Sequence, residues 1–166
     1  MVTILIAGEG EEKDLYSALD FALSKYFGQG QLAISDINSY KPTKNDNVIV
    51  LYKRPQPSVA SLEGARAAIA VVDSGNEQLI AHVSKTRLLA ITCGLRSRDT
   101  ITLSSIDPES AVIDLRRTIT CLDGSEVEPQ EIPLRYNLPK DNFLLMCIAA
   151  ILILSGKIES LKEGFI

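Results

Sequence analysis

Short apolar runs alternate with amphipathic segments over the first 95 residues. The runs have the length and β-branched content of strands buried on both faces, and they cover residues 2–7, 31–37, 47–52, 67–74 and 87–94. Apolar residues recur at helical spacing from Leu15 to Tyr26, ending near Gly28, and again over 76–85. Strands that alternate with helices predict an α/β fold, with a mostly parallel, Rossmann-like sheet and helices packed on it.

The periodicity changes to two residues after residue 95. Residues 100–107, 111–122 and 125–136 alternate between apolar and polar positions, which predicts three strands. The dipeptide Asp123-Gly124 is a strong signal for a tight hairpin turn. An antiparallel hairpin extension is therefore expected over residues 96–137.

The last strong pattern is an apolar helix over 141–157, with Asp141 or Asn142 as its cap and Gly156 as its stop. Because residues 143–154 are apolar on nearly every side, this helix must be covered by the core, by a second copy or by a partner. Residues 53–66 contain two prolines and predict a loop with at most one helical turn.

Composition narrows the class of protein. With 166 residues, 46% of them hydrophobic, we expect one domain made of a parallel part (1–95), an antiparallel extension (96–137) and a helix with its tail (141–166). A net charge of −4 argues against a nucleic-acid partner. Three widely spaced cysteines, Cys93, Cys121 and Cys147, suit reduced thiols in a core.

The start of the chain and its longest apolar run bear on where the protein is located. No basic flank or cleavage site follows Met1, and the run over 143–154 is shorter than the roughly 20 residues that span a bilayer. We therefore expect a cytoplasmic protein without a membrane span.

The turn after the first strand raises the question of a phosphate site. Gly8, Gly10 and Lys13 lie between a strand and a helix, which is how nucleotide-phosphate loops begin. Glutamates at 9, 11 and 12 would repel a polyphosphate, and the glycine spacing fits neither common phosphate motif. We interpret the segment as a plain strand-to-helix turn whose glutamates favour the helix N-terminus, with a divergent phosphate loop as the alternative.

A family resemblance enters at residues 70–95, "AVVDSGNEQLIAHVSKTRLLAITCGL", which resemble the later half of the central domain of Mur ligases. Asp73, Gly75 and Asn76 stand where that family has an acidic turn, and Thr92 and Gly94 stand at its second turn. Residues 131–165 are similar to the family's closing pattern, with these matches: Ala149, Ala150, Gly156, Ile158, Leu161 and Phe165. The resemblance implies a bacterial protein with the fold of an ATP-binding domain.

The departures from the family fall on its chemistry. No residue matches the Gly-Lys-Thr loop, the metal-binding residue or the carbamylated lysine of a Mur ligase, and Asp141, Asn142 and Phe143 replace its His-Asn pair. The resemblance therefore implies ancestry without ligation, as in a pseudoenzyme. We assign no catalytic residue, no metal site and no cofactor, and ATP with magnesium enters only under an enzyme alternative.

Other candidate residues lie after the predicted strand over 87–94. Residues 93–105 form a dense polar stretch at a strand's carboxyl end, and Arg96, Arg98, Thr100 and Ser104 could bind an anion or a peptide end there. The alternative is an exposed loop that leads into an amphipathic strand.

For three further features we favour a structural role over a functional one. The single histidine, His82, is expected at a surface, and Cys93 is expected as a packing thiol rather than a nucleophile. Arg116 and Arg117 are expected to pair with glutamates at 126, 128 and 131 across a hairpin.

Three functions remain open from the sequence. The leading one is a non-catalytic ligand- or protein-binding, regulatory domain, whose partner is an unidentified protein or small molecule. The alternatives are a small nucleotide-dependent ligase or transferase and an interaction module that forms a homodimer through residues 143–154. The candidate ligand-binding residues are Gly8, Gly10, Lys13, Asp73, Asn76, Arg96, Arg98, Thr100, Ser104 and Asn142.

Overall fold

The computed structural model describes residues 1–7, 12–52, 62, 64–137 and 141–162. They form two compact units, Met1–Ile91 and Thr92–Ile166, and each is described by itself. The predicted α/β class is confirmed, with strand pairing that is parallel in the first unit and mainly antiparallel in the second.

The first unit is built on parallel strands. Its elements in chain order are β1 (Val2–Ala7), α1 (Glu12–Leu23), β2 (Leu32–Asp36), β3 (Asn47–Tyr52), β4 (Ala67–Asp73), α2 (Glu77–Val83) and β5 (Leu89–Cys93), whose last two residues belong to the second unit. β1 pairs with β2 on one side and with β3 on the other, and β3 pairs with β4. β2 pairs with no other strand of this unit and is therefore an edge strand.

The apolar runs form strands because both of their faces are buried. Side chains of β1, β3 and β4 alternate between the two faces, and on one face Val50 and Val72 pack against Leu79 and Val83 of α2. α1 contributes the fully buried Leu19 and Leu23. It ends at Leu23, five residues before the predicted end near Gly28, and a turn follows in which the Tyr26 N–H donates to the Leu23 carbonyl.

The second unit carries the predicted antiparallel part. Its elements are β6 (Ile101–Ile106), β7 (Ser110–Leu115), β8 (Ile119–Thr120), β9 (Glu126–Val127), β10 (Gln130–Arg135), α3 (Asn142–Leu154) and α4 (Ile158–Lys162). β7 pairs antiparallel with both β6 and β10, while β8 and β9 form a separate two-stranded ribbon. The predicted turn at Gly124 joins β8 to β9, and its φ is +89°.

Two predicted strands are each broken into two, which corrects the sequence reading. The strand expected over 111–122 divides into β7 and β8, and the one expected over 125–136 divides into β9 and β10. The segment just after β8 bonds to the end of α3, because the Leu122 N–H donates to the Leu154 carbonyl at 2.8 Å and the Cys121 thiol donates to the Ile153 carbonyl at 3.0 Å. The Ile153 carbonyl also accepts from the Gly156 N–H at 2.9 Å.

α3 is capped as the sequence predicts. Asp141 Oδ1 accepts from the Phe143 and Leu144 N–H groups at 2.9 and 3.1 Å, and Gly156 adopts a φ of +70° after the helix. All residues from Leu144 to Leu154 are buried within the chain, so the dimer hypothesis loses the exposed apolar face on which it rested. Among the residues that the structure describes, no helix combines the length and the apolar content needed to cross a bilayer.

Candidate ligand site at the carboxyl edge of the first unit's sheet

The carboxyl ends of β1, β3 and β4 lie at one edge of the parallel sheet. Ala7, Tyr52 and Val72 are register partners across these three strands. Open α/β sheets bind their ligands outside this edge, where loops lead from strands into helices. The edge is therefore the place to ask which polar groups lack a partner.

Asp73 and Asn76, two of the predicted ligand residues, meet in the turn between β4 and α2. The Asp73 carboxylate accepts from the Gly75 N–H at 2.8 Å, and the Asn76 side-chain oxygen caps α2 by accepting from the Leu79 N–H at 3.0 Å. The Asn76 N–H in turn donates to the Asp73 carbonyl at 3.3 Å. Both side chains thus hold the turn in shape, which is an ordinary structural role for these residue types.

Tyr52 ends β3 with its whole side chain removed from solvent, at 0% exposure. It lies in the same apolar cluster as Val50, Val72, Leu79 and Val83. Its hydroxyl has no hydrogen-bond partner among the described residues. Burial raises the pKa of this phenol to about 12, so the group is neutral over the physiological range.

The aromatic ring of His82 lies beside that of Tyr52. The centroids of the two rings lie 6.0 Å apart, with the ring planes tilted by 58°. Although His82 as a whole is partly exposed, its Nε2 atom is shielded from solvent and has no partner in the described part of the chain. His82 was expected at a surface. This expectation is wrong for its Nε2 atom, because the short helix α2 turns the ring toward the end of β3.

Ser74 adds a third buried polar atom at the same edge. It follows Val72 by two residues, is 5% exposed, and its hydroxyl also lacks a partner among the described residues. Buried polar atoms in native proteins nearly always have a partner, and leaving one without costs about 1–3 kcal/mol. Among the described residues, Thr3, Asn47 and Ser155 also carry such an atom, so Tyr52, Ser74 and His82 hold three of six.

Sequence reasoning missed this set of residues. The run "NVIVLY" signals a buried strand, and the tyrosine at its end reads as one more apolar position. The one available signal was that Tyr52 and the only histidine each bring a polar atom into an otherwise apolar pattern. Their proximity depends on how α2 packs on β4, which periodicity does not give.

The polar turn after β5 was the leading candidate for a ligand site. Several of its hydrogen bonds are made within the turn. The Asp99 carboxylate accepts from the Arg96 N–H at 2.8 Å, while the Asp99 N–H donates to the Arg96 carbonyl at 3.1 Å. The Thr100 N–H donates to both the carbonyl and the hydroxyl of Thr92, each at 3.0 Å. Asp99 and Thr100 are buried, so their polar groups serve the turn itself.

The remaining predicted residues of the second unit do not join such a cluster. Arg96 and Arg98 are exposed, Ser104 is exposed on β6, and Asn142 is the exposed first residue of α3, where Asp141 does the capping. Arg116 pairs with Asp114 at 2.8 Å, which corrects the pairing with a glutamate that was expected of this residue; the pairing of Arg117 stays a prediction.

Two outcomes concern the opening turn and the cysteines. Gly8 and Gly10 lie outside the described residues, and Lys13 lies in α1 with its side chain outside the described part. Cys93, Cys121 and Cys147 are all buried, as predicted for packing thiols, and no disulfide joins them. Within the described ranges, no group of three or more His, Cys, Asp or Glu side chains is placed to hold a metal ion.

Comparison with known proteins adds no family. No protein-family model matches the chain, and no curated protein matches its sequence significantly.

Proposed function

We propose that the chain is a non-catalytic, small-molecule-binding domain whose site lies at the carboxyl edge of the first unit's sheet. Tyr52, His82 and Ser74 supply the polar contacts of this site. The observation that carries the proposal is that all three present a buried polar atom without a partner among the described residues. The sequence favoured residues 93–105 together with the Gly8 to Lys13 turn, and the proposal differs because the Asp99 carboxylate and the Thr92 hydroxyl bond backbone N–H groups of the turn after β5.

A purely structural role does not account for these side chains. A phenylalanine at 52 would fill nearly the same volume as the tyrosine without burying a hydroxyl, and alanine at 74 would avoid the same cost. Each hydroxyl therefore costs stability in the free protein, and a bound ligand would offset that cost by supplying the missing partners. Strain and unsatisfied groups of this kind are concentrated at functional sites.

The chemistry of the three groups favours binding over catalysis. A general acid or base works best when its pKa lies near the operating pH, and burial raises the pKa of Tyr52 to about 12. A histidine that activates a nucleophile must also lie within hydrogen-bond reach of it, and no hydrogen bond joins Tyr52 to His82.

The resemblance to the central domain of Mur ligases stays part of the proposal. It is supported by the order of elements, since Asp73 ends β4, Asn76 caps α2 and Thr92 lies in β5. On this view the edge that binds a nucleotide in an ATP-dependent ligase is kept here for a different ligand. Fold ancestry alone does not identify that ligand.

The test is an NMR titration of the ¹⁵N-labelled protein with a library of polar metabolites, together with ATP and magnesium. We expect at least one compound to shift the amide signals of Tyr52, Ser74 and His82. Its affinity should fall in Tyr52→Phe and in Ser74→Ala, and should be kept in Tyr16→Phe, which removes a phenol hydroxyl on α1 outside the site.

Two results would count against the proposal. Compounds that shift only signals elsewhere would remove this edge as the binding site. Saturable binding of ATP with magnesium, followed by release of ADP, would instead support the nucleotide-dependent ligase or transferase.

A further inference from the structure

We propose that Asp123, next to Gly124, is a modification site at which the aspartate converts spontaneously to isoaspartate, and that the folded turn holds this conversion back. The site lies in the turn between β8 and β9 and shares no residue with the proposed ligand site. The chain contains no other Asp-Gly pair and no Asn-Gly pair. Asp123, Gly124 and Ser125 are all exposed, so water reaches the turn.

The conversion is an internal condensation followed by hydrolysis, and it needs no cofactor. The Gly124 backbone nitrogen attacks Cγ of the Asp123 side chain, a C–N bond forms, and the amide hydrogen and the carboxyl OH leave together as water. A second water then opens the five-membered imide at either of its two carbonyls. One opening restores aspartate, and the other leaves the main chain running through Cβ and Cγ as isoaspartate. Glycine obstructs the attack least, because it has no Cβ.

The folded turn occupies the attacking nitrogen. The Gly124 N–H donates to the Cys121 carbonyl at 3.0 Å, and the Cys121 N–H donates to the Ser125 carbonyl at 2.7 Å. The Leu122 N–H is bonded in addition to the Leu154 carbonyl at 2.8 Å, which ties the turn to the end of α3. The Gly124 nitrogen must therefore give up its bond to Cys121 before it can attack.

The folded turn also holds the Asp123 carboxylate. Its Oδ1 accepts from the Ser125 hydroxyl at 2.6 Å and from the Ser125 N–H at 2.9 Å. The hydroxyl bond first and the N–H bond second stabilise the ionised form and lower the pKa of Asp123. The condensation proceeds from the neutral acid, because a carboxylate has no OH group to release as water. Both bonds to Ser125 therefore oppose the first step.

Isoaspartate does not fit the closed turn. The conversion adds one methylene carbon to the main chain and moves the free carboxylate onto Cα, so the Oδ1 bonds to Ser125 are lost. Room beside the side chain is also limited, since a Cβ at Gly156 would lie 3.4 Å from Asp123 Oδ2. We therefore expect isoaspartate to form in chains whose β8–β9 ribbon has opened, and to mark those chains.

The test is ageing of the purified chain at neutral pH, folded in buffer and unfolded in guanidinium chloride. After digestion to peptides, an isoaspartyl methyltransferase counts the isoaspartate and mass spectrometry locates it at Asp123. Ser125→Ala removes the hydroxyl bond and keeps the N–H bond, whereas Ser125→Thr keeps both and is the matched control. Circular dichroism shows whether each variant is folded.

We expect the folded wild type to form isoaspartate at Asp123 at least about tenfold more slowly than the unfolded chain, because a hydrogen bond to a charged group is worth about that factor. Folded Ser125→Ala should form it about threefold or more faster than folded wild type, since one such bond is gone, and Ser125→Thr should match wild type.

An unfolded chain that forms no isoaspartate at Asp123 would overturn the modification site. Equal rates in the folded and unfolded wild type, or a folded Ser125→Ala that ages no faster than wild type, would overturn the protection by the turn. If Ser125→Ala does not fold, the two wild-type rates decide the protection by themselves.

Discussion

Replacing Tyr52 by phenylalanine should make the free protein more stable. The change removes only the hydroxyl, which is fully buried and has no partner among the described residues, and keeps the ring that packs against Val72 and Leu79. An unpartnered buried polar group costs about 1–3 kcal/mol. The oxygen also makes dispersion contacts worth about 0.1–0.2 kcal/mol each, and the variant loses these. We therefore expect a net gain of about 1–2 kcal/mol in the free energy of unfolding.

The assay is urea denaturation at pH 7 with calorimetry, comparing wild type, Tyr52→Phe and Tyr136→Phe. For a chain of this length, 1 kcal/mol moves Tm by about 2–4 °C, so Tm of Tyr52→Phe should rise by roughly 2–8 °C. Tyr136 is the matched control because it is equally buried but its hydroxyl donates to the Asp107 carbonyl. Tyr136→Phe should therefore lose about 1–3 kcal/mol, the opposite sign.

Tyr52→Phe should also differ from wild type in how its stability changes at alkaline pH. Because the pKa of Tyr52 rises from 10.0 to about 12 on folding, the folded chain keeps a proton between these values that the unfolded chain releases. Stability is thus intact below pH 10 and falls as the pH rises toward 12, by up to about 1.4 kcal/mol per pH unit. Tyr52→Phe should lose stability less steeply in this window.

A clear result would refute the reasoning. If Tyr52→Phe is no more stable than wild type, or is less stable, while Tyr136→Phe is destabilised, the Tyr52 hydroxyl already has a partner in the free protein. The observation that carries the proposed ligand site would then be gone.

The remaining predictions concern the N-cap of α3, the edge strand β2 and the pKa of Tyr40. Asp141→Ala should destabilise the chain by about 1–2 kcal/mol in urea because α3 loses its N-cap, and Asp141→Asn should keep most of that stability. The Tyr16 hydroxyl donates at 2.6 Å to the Ile34 carbonyl on edge strand β2. Tyr16→Phe uncovers this carbonyl, so it should increase self-association in light scattering while barely changing stability. Unchanged scattering would contradict this. Asp46→Asn should lower the pKa of Tyr40 from about 12, measured by phenolate absorbance, without returning it to 10.0, because burial is the larger cause and the Asp46 bond and charge the smaller. A Tyr40 pKa that does not fall would refute that assignment.

The sequence did not predict which residues make up the candidate site. Residue types near the strand ends pointed to Asp73, Asn76, Arg96 and Thr100. The side chains of Asp73 and Asn76 bond backbone groups of their own turn, while the cited bonds of Arg96 and Thr100 are made by their backbone N–H groups. Short polar side chains in turns usually satisfy backbone groups within a few residues, so composition alone overstates their availability to a ligand. Tyr52 and His82 are 30 residues apart in sequence, and only the packing of α2 on β4 brings their rings to 6.0 Å.

The sequence by itself determined the elements whose signals are local. Continuous apolar runs defined β1 and β3 to the residue, and Asp141 and Gly156 marked the limits of α3, because burial on two faces and capping each depend on a few neighbouring residues. Only the tertiary structure decided that β7 and β8 are separate strands and that the segment after β8 bonds to carbonyls at the end of α3, some 30 residues further along the chain. It also decided that α3 is covered by its own chain, and that three polar atoms near the end of β3 are left without partners, because burial is a property of what surrounds a residue rather than of the residue itself.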